Sequence, residues 1–135
     1  MLKRSPLAPK RFPAMPAVEG VSVAAAEAGI KYRSRTDLCM IAFDPGTTIA
    51  GVLTRSKTAA APVEWCRKIL PRGRARAIVV NSGNANAFTG KLGNASVERI
   101  VTAASDRLGC RRGEVFVAST GVIGEALPDG LVIDR

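Results

Sequence analysis

The chain has 135 residues, 47% of them hydrophobic and 23% charged, with a net charge of +9. That length and balance exclude a disordered tail and allow one domain with a real core. His is absent and the three cysteines, Cys39, Cys66 and Cys110, form no Cys-x-x-Cys pair, which excludes an ordinary zinc site and the Ser–His and Cys–His catalytic arrangements.

Residues 1–19 read as an extended, Pro-rich basic lead-in. Pro6, Pro9, Pro13 and Pro16 interrupt any apolar stretch behind Lys3 and Arg4, so no signal peptide is expected. Residues 20–135 read as one partial α/β domain without repeats or linkers. Residues 20–30 suit a strand or a short Ala-rich helix, and the alternation of Val21 and Val23 favours a strand start. Leu38 to Phe43 is a short apolar run before Asp44-Pro45-Gly46, as in a core strand ending in a turn. Ile49 to Thr54 is a second such run, and the two are expected to pair as a hairpin closed by the Pro-Gly turn.

Ala61 to Leu70 reads as a helix, with Pro62 in its first turn, Val63, Cys66 and Leu70 on one face, and Pro71 and Gly73 ending it. Ala77 to Val80 is a buried strand that empties into Asn81-Ser82-Gly83-Asn84-Ala85-Asn86. Ala95 to Leu108 is the clearest helix: Val97, Ile100, Val101, Ala104 and Leu108 share a stripe, and Gly109 stops it. Val115 to Ala118 is another apolar strand, running into Ser119-Thr120-Gly121-Val122-Ile123-Gly124. Residues 125–135 read as a connection. The class is therefore mixed α/β.

Basic residues fall in scattered groups with no interleaved aromatics. That suits a solvated basic face, or one that meets an acidic partner or an anionic substrate, better than a nucleic-acid surface. A basic RNA-binding module remains an alternative. No apolar segment is long enough to cross a membrane. The odd, sparse cysteine count is that of reduced thiols, which places the protein in the cytoplasm.

Two segments have the composition of active-site loops at strand ends. In the first, Asn81, Asn84 and Asn86 offer amides and Gly83 permits unusual backbone. It is not a phosphate loop, because six residues separate Gly83 from Gly90 and Leu92 follows Lys91. The same residues also suit a turn that caps its own backbone, and composition leaves both readings open. In the second, the Thr120 hydroxyl and the Gly121 N–H are adjacent donors that could meet one oxygen, as an oxyanion hole requires. A plain tight turn fits those residues equally.

Together these segments are more specific. Val79-Val80-Asn81-Ser82-Gly83-Asn84-Ala85-Asn86-Ala87 with Thr89-Gly90 resembles the signature of the ornithine acetyltransferase (glutamate N-acetyltransferase) family. Gly29-Ile30-Lys31-Tyr32 with Asp37-Leu38, Gly51-Val52-Leu53-Thr54 with Lys57 and Ala60-Ala61-Pro62-Val63, and Ser119 to Gly124 resemble further blocks of it, in order. The resemblance implies a layered α/β sandwich, incomplete here, of a type shared with Thr-nucleophile aminopeptidases. It implies transfer of acetyl from N-acetylornithine to glutamate in arginine biosynthesis, with no cofactor, and with acetyl-CoA as a further donor in some members. It implies a self-cleaved precursor and a heterotetramer of two chain types. The nucleophile is the N-terminal Thr of the second chain, activated by its own amine. By motif match the oxyanion donors fall on Thr120 and Gly121. The family's self-cleavage segment lies beyond Gly124 and is absent from this chain, as are the nucleophile and most substrate-binding positions. Phe88 departs from the smaller residue common in the family.

Overall fold

The computed structural model describes residues 5–135, so Lys3 and Arg4 lie outside the described residues. A four-stranded sheet is ordered β1 (Val21–Ala26), β2 (Leu38–Phe43), β3 (Ala77–Asn84), β4 (Val115–Val122). β1–β2 and β2–β3 are antiparallel and β3–β4 parallel. Helix α1 (Ala61–Ile69) precedes β3, α2 (Gly90–Leu108) connects β3 to β4, and the short α3 (Asp129–Ile133) follows β4. The sheet with its helices is the mixed α/β class the sequence predicts, and within residues 20–30 the strand alternative is realised over Val21–Ala26.

The two-residue period of a strand assigns the faces. Leu38, Ala77, Val79, Val115 and Val117 are buried and join Val97, Ile100, Val101 and Ala104 of α2 in one core. The register places Val23 beside Ile41, Ile41 beside Ile78, Cys39 beside Val80 and Val80 beside Ala118. These residues share the opposite face and are half-buried or exposed. The apolar stripe of α2 lies where periodicity predicts, but the helix begins at Gly90 rather than Ala95. Its end is a left-handed Gly109, whose neighbour Cys110 donates its N–H to Ser105 O at 3.0 Å. In α1 the buried face is Pro62, Cys66 and Ile69, rotated from the predicted stripe because the helix lies along an edge of the sheet.

The expected hairpin does not form. Both edges of β2 are taken, by β1 and β3, which leaves no ladder for Ile49 to Thr54. The Asp44-Pro45-Gly46 turn is present, with Thr47 N–H donating to Asp44 O. Beyond it the chain makes one bridge, Thr48 to Arg74, and runs on irregularly. Residues 125–135 are likewise more than a connection, since they contain α3 with Leu127 and Val132 in the core.

Much of the positive charge serves structure. Arg67, Arg74, Arg76 and Arg107 donate to the carbonyls of Thr54, Gly46, Phe43 and Ile133. Arg99 grips Asp129 of α3 through two nitrogens. That contact holds the Asp129 carboxyl below its ordinary value. A lowered folded-state value means stability that is complete above about pH 4 and is lost as pH falls through the folded-state value. The protection factors of the Leu131–Ile133 amides are therefore expected to fall on acidification below that point, before those of the core amides of β3 do.

Asp37 is buried, and its two oxygens accept the N–H groups of Ala28 at 2.7 Å and Ile30 at 2.8 Å. One carboxylate thus shapes the β1–β2 connection where it passes Gly83. Asp37→Ala orphans both donors and is expected to cost about 3 kcal/mol, seen as a lower denaturant midpoint; an unchanged midpoint contradicts this role.

Candidate active site

The polar ends of β3 and β4 lie side by side. Asn81 pairs with Ser119, Ser82 with Thr120 and Gly83 with Gly121, and the register shifts at Asn84. The sequence reads both segments as turns after short strands. Instead the ladder continues through them, because their side chains are partnered inside it. Ser119 Oγ donates to Asn81 Oδ1 at 2.6 Å, and Asn81 Nδ2 donates to Asn84 O at 2.9 Å.

The Asn residues act as struts, and none presents a free amide. Asn84 Nδ2 reaches the carbonyls of Glu125 and Ala126 at 3.1 and 3.3 Å, while its Oδ1 accepts Asn86 N–H at 2.7 Å. Asn86 is fully buried and left-handed at φ 47°. Its Nδ2 donates to Gly93 O at 3.1 Å, and its Oδ1 accepts the Thr89 hydroxyl at 2.8 Å. Asn84 ends the β3 ladder and Asn86 follows it, and their side chains cap backbone from β3 into α2. Asn86→Leu leaves these partners unsatisfied in a dry site, for an expected loss of about 3 kcal/mol; Asn86→Asp sets a buried carboxylate oxygen against Gly93 O and should cost at least as much.

Gly121 is where the two strands come closest. At φ 131° it occupies backbone that other residues resist. A Cβ there would stand 2.6 Å from Asn84 N and 2.7 Å from Gly83 O, and closer still to Gly83 C. Gly83 has a matching role, since a Cβ on it would meet Lys31 Cβ at 2.9 Å. Lys31 in turn holds Glu125 with Nζ 2.7 Å from Oε2, a contact that raises the lysine's affinity for its proton. Glu125 thus ties the segment after β4 to the β1–β2 connection over Gly83. Sequence reasoning did not pick out this tie, since the two residues lie 94 positions apart.

The outer edge of β4 sets the direction of the donors. Helix α1 lies along it: the Trp65 indole N–H donates to Val115 O at 2.9 Å and the Cys66 S–H to Val117 O at 3.3 Å. Val122 O turns the other way, accepting Ala85 N–H at 2.8 Å. In a strand the N–H and C=O of one residue share a side, and the side alternates residue by residue. Gly121, in step with Val115 and Val117, therefore directs its N–H to the outer edge. Thr120 and Gly121 are both exposed at the end of the paired strands, and the Thr120 side chain, in step with Ala118, stands on that sheet face beside the Gly121 edge.

Cys66 is not a nucleophile in this setting. Burial pushes its thiol up, and the neutral S–H is occupied by Val117 O. Among the described residues no group of His, Cys, Asp and Glu could hold a metal ion, and no helix is long and apolar enough to cross a membrane.

Residues 22–134 match the model of the ArgJ family. The chain is 61% identical over 123 residues to the arginine biosynthesis bifunctional protein ArgJ of Mesorhizobium japonicum, and 58% identical over the same length to that of Bradyrhizobium diazoefficiens. Each comparison covers 91% of this chain and 30% of the relative, so the chain spans about a third of the length of these relatives. Among solved structures, ArgJ from Bacillus halodurans superposes with a TM-score of 0.81 at 34% identity, covering 86% of this chain and 61% of that one. Ornithine acetyltransferase from Mycobacterium tuberculosis, in complex with ornithine, superposes with a TM-score of 0.77 at 39% identity, covering 86% and 63%.

Proposed function

Because this chain belongs to the ArgJ family, we propose that it is the oxyanion-binding part of an acetyltransferase that moves acetyl from N-acetylornithine to glutamate in arginine biosynthesis. The observation that carries the reading is the Thr120–Gly121 step, with two exposed donors at the end of β4 held by the close Gly83–Gly121 approach. The likeness to an ornithine acetyltransferase complexed with ornithine supports the substrate class.

In this proposal a Thr on another segment of the complete protein, activated by its own N-terminal amine, attacks the acetyl carbonyl. The carbonyl oxygen takes up negative charge and accepts hydrogen bonds from Thr120 Oγ–H and Gly121 N–H. Collapse breaks the amide C–N bond, and protonated ornithine leaves an acetyl ester on the nucleophile. The glutamate amine then attacks that ester, a second oxyanion forms in the same place, and its collapse returns the free Thr. Donors fixed before the charge develops need no reorganisation, which is how they lower the barrier. Acetyl-CoA fits the same scheme as an alternative donor. The partner is the remainder of the same protein, in an assembly of two chain types in the cytoplasm, and it covers the apolar sheet face of Val23, Ile41, Ile78 and Val80.

The test is an assay of the complete protein. N-acetylornithine with glutamate is expected to give ornithine and N-acetylglutamate, while the 1–135 chain by itself gives none. Release of N-terminal residues from peptides, without acetyl transfer, would instead identify an aminopeptidase. Transfer by the isolated chain would contradict the missing-nucleophile reading.

A further inference from the structure

At the opposite end of β4 from Thr120, four cations surround one shallow hollow. Lys68 of α1, Arg72 of the 3₁₀ turn Leu70–Arg72, and Arg111 and Arg112 before β4 line it together with Trp65, Ile69, Glu98 and Gly113. Glu98 is the one carboxylate in that lining, and it lies 3.8 Å from Arg112. Lys68 and Arg112 differ from the arginines that bind backbone carbonyls, because an aromatic ring steadies them. The Trp65 ring holds Lys68 Nζ at 6.0 Å and Arg112 Cζ at 5.7 Å from its centroid. The ring itself is fixed by its N–H bond to Val115 O. Gly113 leaves room for Arg72: a Cβ at 113 would stand 2.9 Å from Arg72 Cζ and closer still to Nη1.

Like charges gathered on one surface repel, and an anion bound among them relieves that cost. We propose that this hollow binds a small phosphate-bearing ligand through Lys68, Arg72, Arg111 and Arg112. Guanidinium forks match phosphate oxygens two at a time, and Lys adds a point charge. Each phosphate brings about 1.5 to 2 negative charges, so two linked phosphates more than offset four cations set against Glu98 and the Glu114 carboxylate that accepts the Arg111 N–H. A single carboxylate would leave most of that charge unpaired. Trp65 is the one aromatic side chain in the lining, and two cations already flank it, which disfavours a stacked nucleic-acid strand. The hollow is separate from the proposed oxyanion site. Five residue steps of strand separate Val115 from Thr120, on the order of 16 Å.

The test is calorimetric titration of the complete protein with inorganic pyrophosphate at low ionic strength. Saturable binding with Kd below about 1 mM is expected. Arg111→Gln with Arg112→Gln should weaken it roughly tenfold or more. Arg33→Gln with Arg35→Gln removes the same charge from the β1–β2 connection and should leave Kd within about twofold, by distance and screening. Gly113→Ala keeps every charge but displaces the flexible end of Arg72, and should weaken binding roughly threefold or more. The proposal is overturned by an absence of saturable binding, by equal losses in the two charge-removing pairs, or by an unaffected Gly113→Ala. It is also overturned if a hexaglutamate peptide binds more tightly than pyrophosphate and is lost in the same variants, since the surface then suits an acidic protein segment.

Discussion

Replacing Thr120 with Ala in the complete enzyme is expected to lower turnover by roughly 100- to 1,000-fold, equivalent to about 2.7–4 kcal/mol of transition-state stabilisation. The size follows from what is removed and what stays. The hydroxyl is one of two adjacent donors, and the Gly121 N–H on the outer edge of β4 is untouched. Thr120 is exposed and its backbone is bonded within the β3–β4 ladder, so loss of its side chain opens no cavity. Stability should change by less than about 0.5 kcal/mol. KM should move little, because a donor aimed at developing charge acts mainly in the transition state. Thr120→Ser keeps the hydroxyl and should keep most of the activity. A loss of only a few-fold in Thr120→Ala, or an equal loss in Thr120→Ser, removes the hydroxyl from the mechanism.

Gly121→Ala is expected to act on folding first. The new methyl falls on the Gly83–Asn84 peptide, with 2.6 Å to Asn84 N and 2.7 Å to Gly83 O. Those atoms are backbone in a paired strand and cannot swing aside as a side chain would. The φ of 131° adds strain of its own. Steric overlap and strain together put the cost at about 4 kcal/mol or more, at the extreme of single substitutions. The thermal midpoint should fall steeply, and what remains folded should be inactive because the strand ends are forced apart. Gly124→Ala is the comparison: its φ is 83°, but no atom lies within 4 Å of the added Cβ, so only the backbone strain applies. If Gly121→Ala is no worse than Gly124→Ala, the close approach does not hold the site.

Local pattern made part of this legible. The periodic stripe of α2 is buried, as are residues in the short apolar runs that start β3 and β4. The hairpin proposed for Ile49 to Thr54 failed for a long-range reason. Nothing near Leu38 to Phe43 reveals that β3, more than thirty residues on, takes the edge a hairpin needs. The polar halves of β3 and β4 read as turns in the sequence because Asn, Ser and Gly break strands in isolation. Here the Ser119–Asn81 and Asn81–Asn84 bonds keep the ladder intact across them. The donor types at Thr120 and Gly121 were visible in the sequence. The edge to which the Gly121 N–H points was not, since it is set by β3 pairing on the other side of β4. The Lys31–Glu125 tie over Gly83 was equally out of reach.

The central claim is that Thr120 and Gly121 hold the oxyanion of an acetyl transfer, and the most direct measurement follows the two half-reactions separately. Rapid mixing of the complete Thr120→Ala enzyme with N-acetylornithine gives the rate of acetyl-enzyme formation with release of ornithine. Adding glutamate to the acetyl-enzyme gives the rate of its discharge. In the proposed mechanism both steps pass through an oxyanion at the same position, so both should slow by the same factor of roughly 100 to 1,000. Slowing of only one half-reaction, or of neither, would contradict the assignment.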